Sequence, residues 1–153
     1  MPATEATLDI DTAARLRTAI GRLSRRLRTT AAARDAGLTP TAISVLLSVV
    51  RTGPTRLSVL AASEGVNPTM LSRVIAGMVQ DGLLERSSDE GDRRAAWVEA
   101  TAAGAKLAER MRRERTDALN LALEALSDPD RRRLEKALPA LESLAEELKG
   151  RRP

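Results

Sequence analysis

The 153-residue sequence holds no histidine, cysteine, tyrosine or phenylalanine, and a single tryptophan. Each absence removes a class of chemistry. Without cysteine there is no thiolate nucleophile and no disulfide. Without histidine as well, no Ser-His triad can be built, the usual zinc ligands are missing, and so is the commonest general base. A catalyst would have to run on Asp, Glu, Ser and Arg, and no convergent carboxylate pair can be placed. The chain is therefore expected to bind rather than catalyse, with no cofactor and no metal. Long apolar runs are lacking too. Nothing approaches the ~20 residues that span a bilayer, and residues 1–9 lack the basic start and apolar run of a signal peptide. A cytoplasmic protein with no membrane partner is expected, and the lack of cysteine fits a reducing compartment.

What remains is helix-forming. With so few aromatics, the core must come from Leu, Val, Ile, Met and Ala, while Leu, Ala, Arg and Glu all favour helix. The basic residues are nearly all arginine; Lys106, Lys136 and Lys149 are the lysines. Net charge is +4, but its distribution matters more. Residues 41–100 carry 6 basic and 7 acidic groups, a net of −1. If that third meets nucleic acid, it must use a few placed arginines and not a broad basic field.

Periodicity divides the chain. Residues 1–9 read as a disordered lead. Over 10–36, Leu16, Ile20, Leu23 and Leu27 step by 4, 3 and 4 to give one apolar stripe, and Gly37 ends the helix. Thr39 and Pro40 form a cap-and-proline start for a largely apolar, buried helix that Gly53-Pro54 stops. A short helix over 57–63 leads into a turn containing Gly65. Asn67 and Pro68 then repeat the cap-and-proline start of a helix running to about Asp81, with Leu71, Val74, Ile75, Met78 and Val79 inward. Gly77 inside it is a defect of about 1 kcal/mol against alanine. Residues 84–87 and 96–99 read as two strands around a charged loop. Helix returns at Thr101 and runs to about Leu126. Ser127-Asp128-Pro129-Asp130 starts the last helix, where Leu134, Leu138, Leu141, Ala145 and Leu148 form a heptad-like seam. Pro139 is expected to kink or split that helix near Ala137.

The order over 38–100 is that of a winged helix-turn-helix, a mainly α fold with a small antiparallel hairpin as its wing. Asn67, Thr69, Ser72 and Arg73 lie on the outward side of the second helix. Short side chains let a helix end approach base edges, and Arg73 can reach a guanine or a phosphate. Arg93 and Arg94 sit at the tip of the hairpin, where they can enter the minor groove or grip phosphates.

Four pieces in this order resemble the MarR family of bacterial transcriptional regulators, over about Leu16 to Leu148. Val66-Asn67-Pro68-Thr69-Met70-Leu71-Ser72-Arg73 is similar to the family's recognition helix. Asp81-Gly82-Leu83-Leu84-Glu85-Arg86 looks like its exit into the first wing strand. Asp92-Arg93-Arg94 resembles the Asp-x-Arg wing motif, and Thr101-Ala102-Ala103-Gly104 the Thr-x-x-Gly that opens the long helix. The resemblance implies a homodimer whose N-terminal and last two helices interlock, placing residues 10–36 and 101–150 in a dimerisation lobe. Leu16, Ile20, Leu23, Leu134, Leu138, Leu141 and Leu148 are the candidate dimer contacts. It further implies repression at a pseudo-palindrome in double-stranded DNA, relieved by a small anionic or phenolic effector. Candidate DNA contacts are Asn67, Pro68, Thr69, Met70, Ser72 and Arg73 on the helix, and Arg86, Asp92, Arg93 and Arg94 on the wing. Asp92 is the one expected to orient an arginine and not to touch DNA. Any effector pocket would be aliphatic with arginines for an anion, and the missing cysteines exclude thiol-oxidation sensing. The competing reading is a winged-helix module that docks another protein through the same hairpin. The arginines at 110–115 are expected to form a solvated helix face, and those at 131–133 to be solvated with part of them pairing across the dimer.

Overall fold

A computed structural model of the chain describes residues 10–88 and 96–150. Its elements run α1 (Ile10–Arg28), α2 (Ala31–Asp35), α3 (Pro40–Thr52), β1 (Thr55–Arg56), α4 (Leu57–Glu64), α5 (Pro68–Gln80), β2 (Leu84–Ser88), β3 (Ala96–Ala100), α6 (Ala102–Glu124) and α7 (Asp128–Gly150). The chain forms two compact units, one up to Arg115 and one from Thr116 on.

The first unit has a core of aliphatic side chains with no aromatic among them. Leu46, Val49, Leu60, Leu71, Ile75, Leu84, Val98 and Met111 are fully buried. Helix α3 contributes most heavily because its apolar residues occupy more than one face, and it packs on α4, α5 and β3. The sheet is antiparallel with the order β1–β3–β2, so β3 is its central strand. Strand β2 pairs with β3 from Leu84 opposite Ala100 to Ser88 opposite Ala96. Strand β1 is only two residues long, with Thr55 opposite Val98 and Arg56 opposite Trp97. The sequence pattern shows two strands, and this third one is too short to leave a period.

Two further expectations fail in this unit. The helix expected over 10–36 breaks after Arg28, and a separate short α2 begins at Ala31. Thr30 is the cause. Its backbone is extended and its Oγ1 accepts a hydrogen bond from Ala33 N at 3.2 Å. The Ala32 N–H then donates to the Glu114 carboxylate at 3.0 Å, a partner 82 residues away. In α5, Val79 is exposed and not inward. The buried stripe is Leu71, Ile75 and Met78, and Val79 lies a further ~100° round the helix from Met78.

The second unit comprises the end of α6 and α7. Ser127 caps α7 by accepting from Asp130 N at 3.3 Å while its hydroxyl donates to the Asp130 carboxylate at 2.7 Å. Helix α7 runs unbroken to Gly150 with Pro139 inside it, so it is not split. Proline removes one donor, leaving the Glu135 carbonyl without its helical partner. Glu135 and Pro139 are both exposed, and water can take that carbonyl. The arginines at the start of α7 pair along their own helix, Arg131 with Asp128 and Arg133 with Asp130.

Candidate nucleic-acid interface

The recognition element is built from its turn outward. Helix α4 ends at Gly65, whose φ of 63° is open to glycine at little cost. That reversal lets Val66 N donate to the Ala61 carbonyl at 3.1 Å, and the chain re-enters helix at once. Asn67 Oδ1 accepts from Thr69 N at 2.8 Å, and Pro68 fills the first helical position, where no N–H is needed. Leu71, Ile75 and Met78 anchor α5 to the core. That anchoring leaves Asn67, Pro68, Thr69, Met70, Ser72 and Arg73 all exposed, as the sequence predicts. Thr69, Arg73 and Gln80 point most directly away from the core. Met70 is half exposed.

On the wing, Arg86 is exposed on β2, with Val98 as its cross-strand partner. Asp92, Arg93 and Arg94 lie outside the described residues. One cation went unforeseen. Arg56 stacks over the Trp97 ring at 5.3 Å from its centroid, and both sit on the sheet face that also carries Ser87. A guanidinium on an aromatic face gains about 0.5–1 kcal/mol at such exposed sites, a bias toward that orientation. The pair could not be read from the sequence, because β1 itself could not.

The sheet meets α6 through a dense joint. Thr101 N donates to the Leu83 carbonyl at 3.2 Å, its hydroxyl donates to the Gly82 carbonyl at 2.6 Å, and the same oxygen accepts from Gly104 N at 3.1 Å. A Cβ on Gly104 would sit 2.0 Å from the Leu83 carbonyl oxygen. The Thr-x-x-Gly segment is therefore a hydroxyl bridge plus the one residue small enough to let the helix touch the Leu83 backbone just before β2. It fixes β2 and α6 to each other and so sets where the wing stands.

A cleft of about 630 Å³ opens elsewhere in this unit. Leu27, Ile43, Leu47 and Val66 give it aliphatic walls, and Arg28, Glu64 and Arg115 give it charge. Arg115 is not the solvated side chain expected from the 110–115 run. It is partly buried, burial lowers its pKa from the ordinary arginine value, and its Nε has no hydrogen-bond partner among the described residues. Its Nη2 reaches the Arg28 carbonyl at 3.5 Å, a long contact. Arg112 and Arg113, by contrast, pair with Glu109 at the surface. A partly buried guanidinium lining an aliphatic cleft suits a carboxylate.

The candidate dimer contacts form exposed apolar surfaces on each unit taken separately. Ile20 and Leu23 are exposed on α1, with Leu16 partly so, and Leu134, Leu138, Leu141 and Leu148 are exposed on α7. Among the described residues, no group of three or more Asp or Glu is placed to hold a metal ion, and no helix is long and apolar enough to cross a membrane.

Comparison with known proteins fixes the relationship. The MarR family pattern matches residues 38–96, from the start of α3 into β3. An HTH-type transcriptional regulator of Mycobacterium tuberculosis is 30% identical over 139 residues, covering 91% of this chain and 96% of its own. The chain belongs to the MarR family. Members of this family are winged-helix, DNA-binding transcriptional regulators, and in general not enzymes. Among solved structures, a transcriptional regulator from Thermotoga maritima superposes with a TM-score of 0.76 at 22% identity, over 94% of this chain and 100% of its own. NadR, solved in complex with 4-hydroxyphenylacetate, matches with a TM-score of 0.61 at 21% identity, over 92% and 97%. At those identities the two structures speak for the MarR-type fold alone.

Proposed function

We propose that this MarR-family regulator is a homodimeric repressor that reads a pseudo-palindromic operator in double-stranded DNA. The observation that carries the reading is the outward face of α5. A helix anchored by Leu71, Ile75 and Met78 presents Thr69, Ser72 and Arg73 to solvent next to a sheet that ends in a wing. Arg73 supplies a fork for guanine or phosphate. The α5 N-terminus favours a backbone phosphate near Asn67 and Pro68. Met70 suits contact with a thymine methyl. Arg86, Arg93 and Arg94 serve phosphates or the minor groove from the wing, with Asp92 orienting a neighbouring arginine. The exposed leucines of α1 and α7 are the surfaces a second subunit would cover. Two α5 helices would then enter successive major grooves about 10 bp apart.

The cleft is the site for an effector. Its aliphatic walls and the guanidinium of Arg115 suit a small carboxylate with an apolar body. The occurrence of 4-hydroxyphenylacetate in NadR is consistent with that ligand class. The test is fluorescence anisotropy on the DNA upstream of the coding region against random duplex. The wild type is expected to prefer the upstream DNA, and Arg73→Ala to lose about 1–3 kcal/mol of that binding. Equal affinity for both duplexes would overturn the reading and leave a protein-docking wing as the better account.

A further inference from the structure

Thr30 and Ser48 are the buried polar side chains among the described residues. Thr30 is accounted for, since its hydroxyl caps α2. Ser48 is not. It is 5% exposed, and among the described residues its hydroxyl has no hydrogen-bond partner. A hydroxyl taken largely out of water without a partner is a standing cost, and it calls for a reason.

Ser48 opens on a second lobe of the effector cleft. This lobe holds about 470 Å³ and shares Ser44, Leu47, Glu64 and Arg115 with the first. Its own residues are Ser48, Arg51 and Arg112. Helix geometry explains the grouping. Ser44, Leu47, Ser48 and Arg51 lie along one face of α3, and Arg112 and Arg115 are one turn apart on α6. The first lobe has aliphatic walls, whereas hydroxyls and guanidiniums line most of the second.

Charge sharpens the contrast. Arg112 pairs with Glu109. Arg28, Arg51 and Arg115 have no carboxylate partner among the described residues. Glu64 is the one carboxylate lining either lobe, and it accepts the Ser44 hydroxyl. Three such cations against one anion leave a surplus of two in the cleft. A single carboxylate neutralises half of that surplus and leaves Ser48 idle.

We propose that the second lobe is an anion subsite and that the effector is an aliphatic dicarboxylate. One carboxylate meets Arg115, which both lobes share. The other accepts from Ser48 Oγ and pairs with Arg51, while the alkyl body lies against Leu27, Ile43 and Val66. This rests on the effector cleft proposed above and names its ligand. An exposed arginine alone holds an anion weakly in water. A hydroxyl beside it that is already desolvated adds a directed donor at little further cost.

The experiment is calorimetric titration of the full-length protein, without DNA, with butylsuccinate and with hexanoate, which carries the same alkyl body on one carboxylate. Butylsuccinate is expected to bind about tenfold more tightly or better, the worth of one charge-assisted hydrogen bond. Ser48→Ala and Arg51→Gln should each remove most of that advantage, and Arg51→Lys should keep part of it. Without ligand, Ser48→Ala should melt no lower than wild type, because the lost hydroxyl had no internal partner. A lower midpoint with the advantage intact would assign Ser48 to the fold and overturn the subsite. Equal affinity of the wild type for the two acids would overturn it too, while the effector cleft stands. If neither acid binds, the cleft is not an effector site and the subsite falls with it.

Discussion

At Gly104 a single methyl group decides whether α6 can meet the turn that leads into β2. The neighbour that a Cβ would strike is a backbone carbonyl, which cannot swing aside as a side-chain tip could. Gly104→Ala is therefore expected to destabilise the first unit by about 1–3 kcal/mol, at the upper end of overpacking costs, read as a lower urea midpoint. Arg115 invites the opposite expectation. Among the described residues its one hydrogen bond is long and its Nε is unpartnered, so hydrogen bonding offsets little of the cost of burying it in part. Arg115→Met should leave stability within about 1 kcal/mol of wild type or raise it. It should also abolish release from DNA by arylacetates, as followed by anisotropy. A clear loss of stability with release intact would assign Arg115 to the fold and not to the effector. Neither residue announces its role in the sequence. Gly104 is visible there as part of a motif, but its reason lies in a carbonyl 21 residues earlier. Arg115 is one arginine in a basic run, and only packing distinguishes it from Arg112 and Arg113.

Elements were legible where their signals are local. Thr39, Asn67 and Ser127 each show an oxygen-bearing cap beside or before a proline, and each starts a helix where expected. The Asn67 cap can be weighed. Asn67→Ala should cost about 0.5–2 kcal/mol, and Asn67→Ser should recover most of it, measured by thermal unfolding. Elements were illegible where a distant partner decides. The break at Thr29-Thr30 occurs in a stretch whose periodicity would carry on, because the Thr30 cap of α2 is completed by Glu114, 82 positions beyond Ala32. Strand β1 exists only through its register with β3. Pro139 does not split α7, because a missing N–H disrupts a helix severely when buried and less when water can reach the freed carbonyl. Of the candidate site, the start of α5 and the exposure of its outward residues were readable. The Arg56–Trp97 pair was not, since it joins two strands of which one leaves no pattern.

The whole molecule combines a modest charge with much uncovered leucine. Leu121, Leu138 and Leu148 are 69%, 52% and 63% exposed, more apolar surface than a lone protomer would be expected to leave wet. The proposed pairing makes the thermal midpoint rise with protein concentration, by mass action. Leu138→Glu should flatten that dependence and shift the species seen in sedimentation to the monomer. A midpoint independent of concentration would contradict the pairing. Electrostatics adds a second expectation. Because residues 41–100 net −1, DNA contact must rest on few cations, and log K should fall with log salt at only about −0.9 per contacted phosphate. The Arg56–Trp97 pair has one more consequence at this scale, an optical one. With no tyrosine and no phenylalanine, the indole on β3 is the only aromatic side chain in the subunit. Emission and near-ultraviolet dichroism are then signals of the sheet and its guanidinium neighbour alone, blind to the helices that make up most of the chain. A spectrum that changes reports the wing, and melting of the long helices has to be followed in the far ultraviolet.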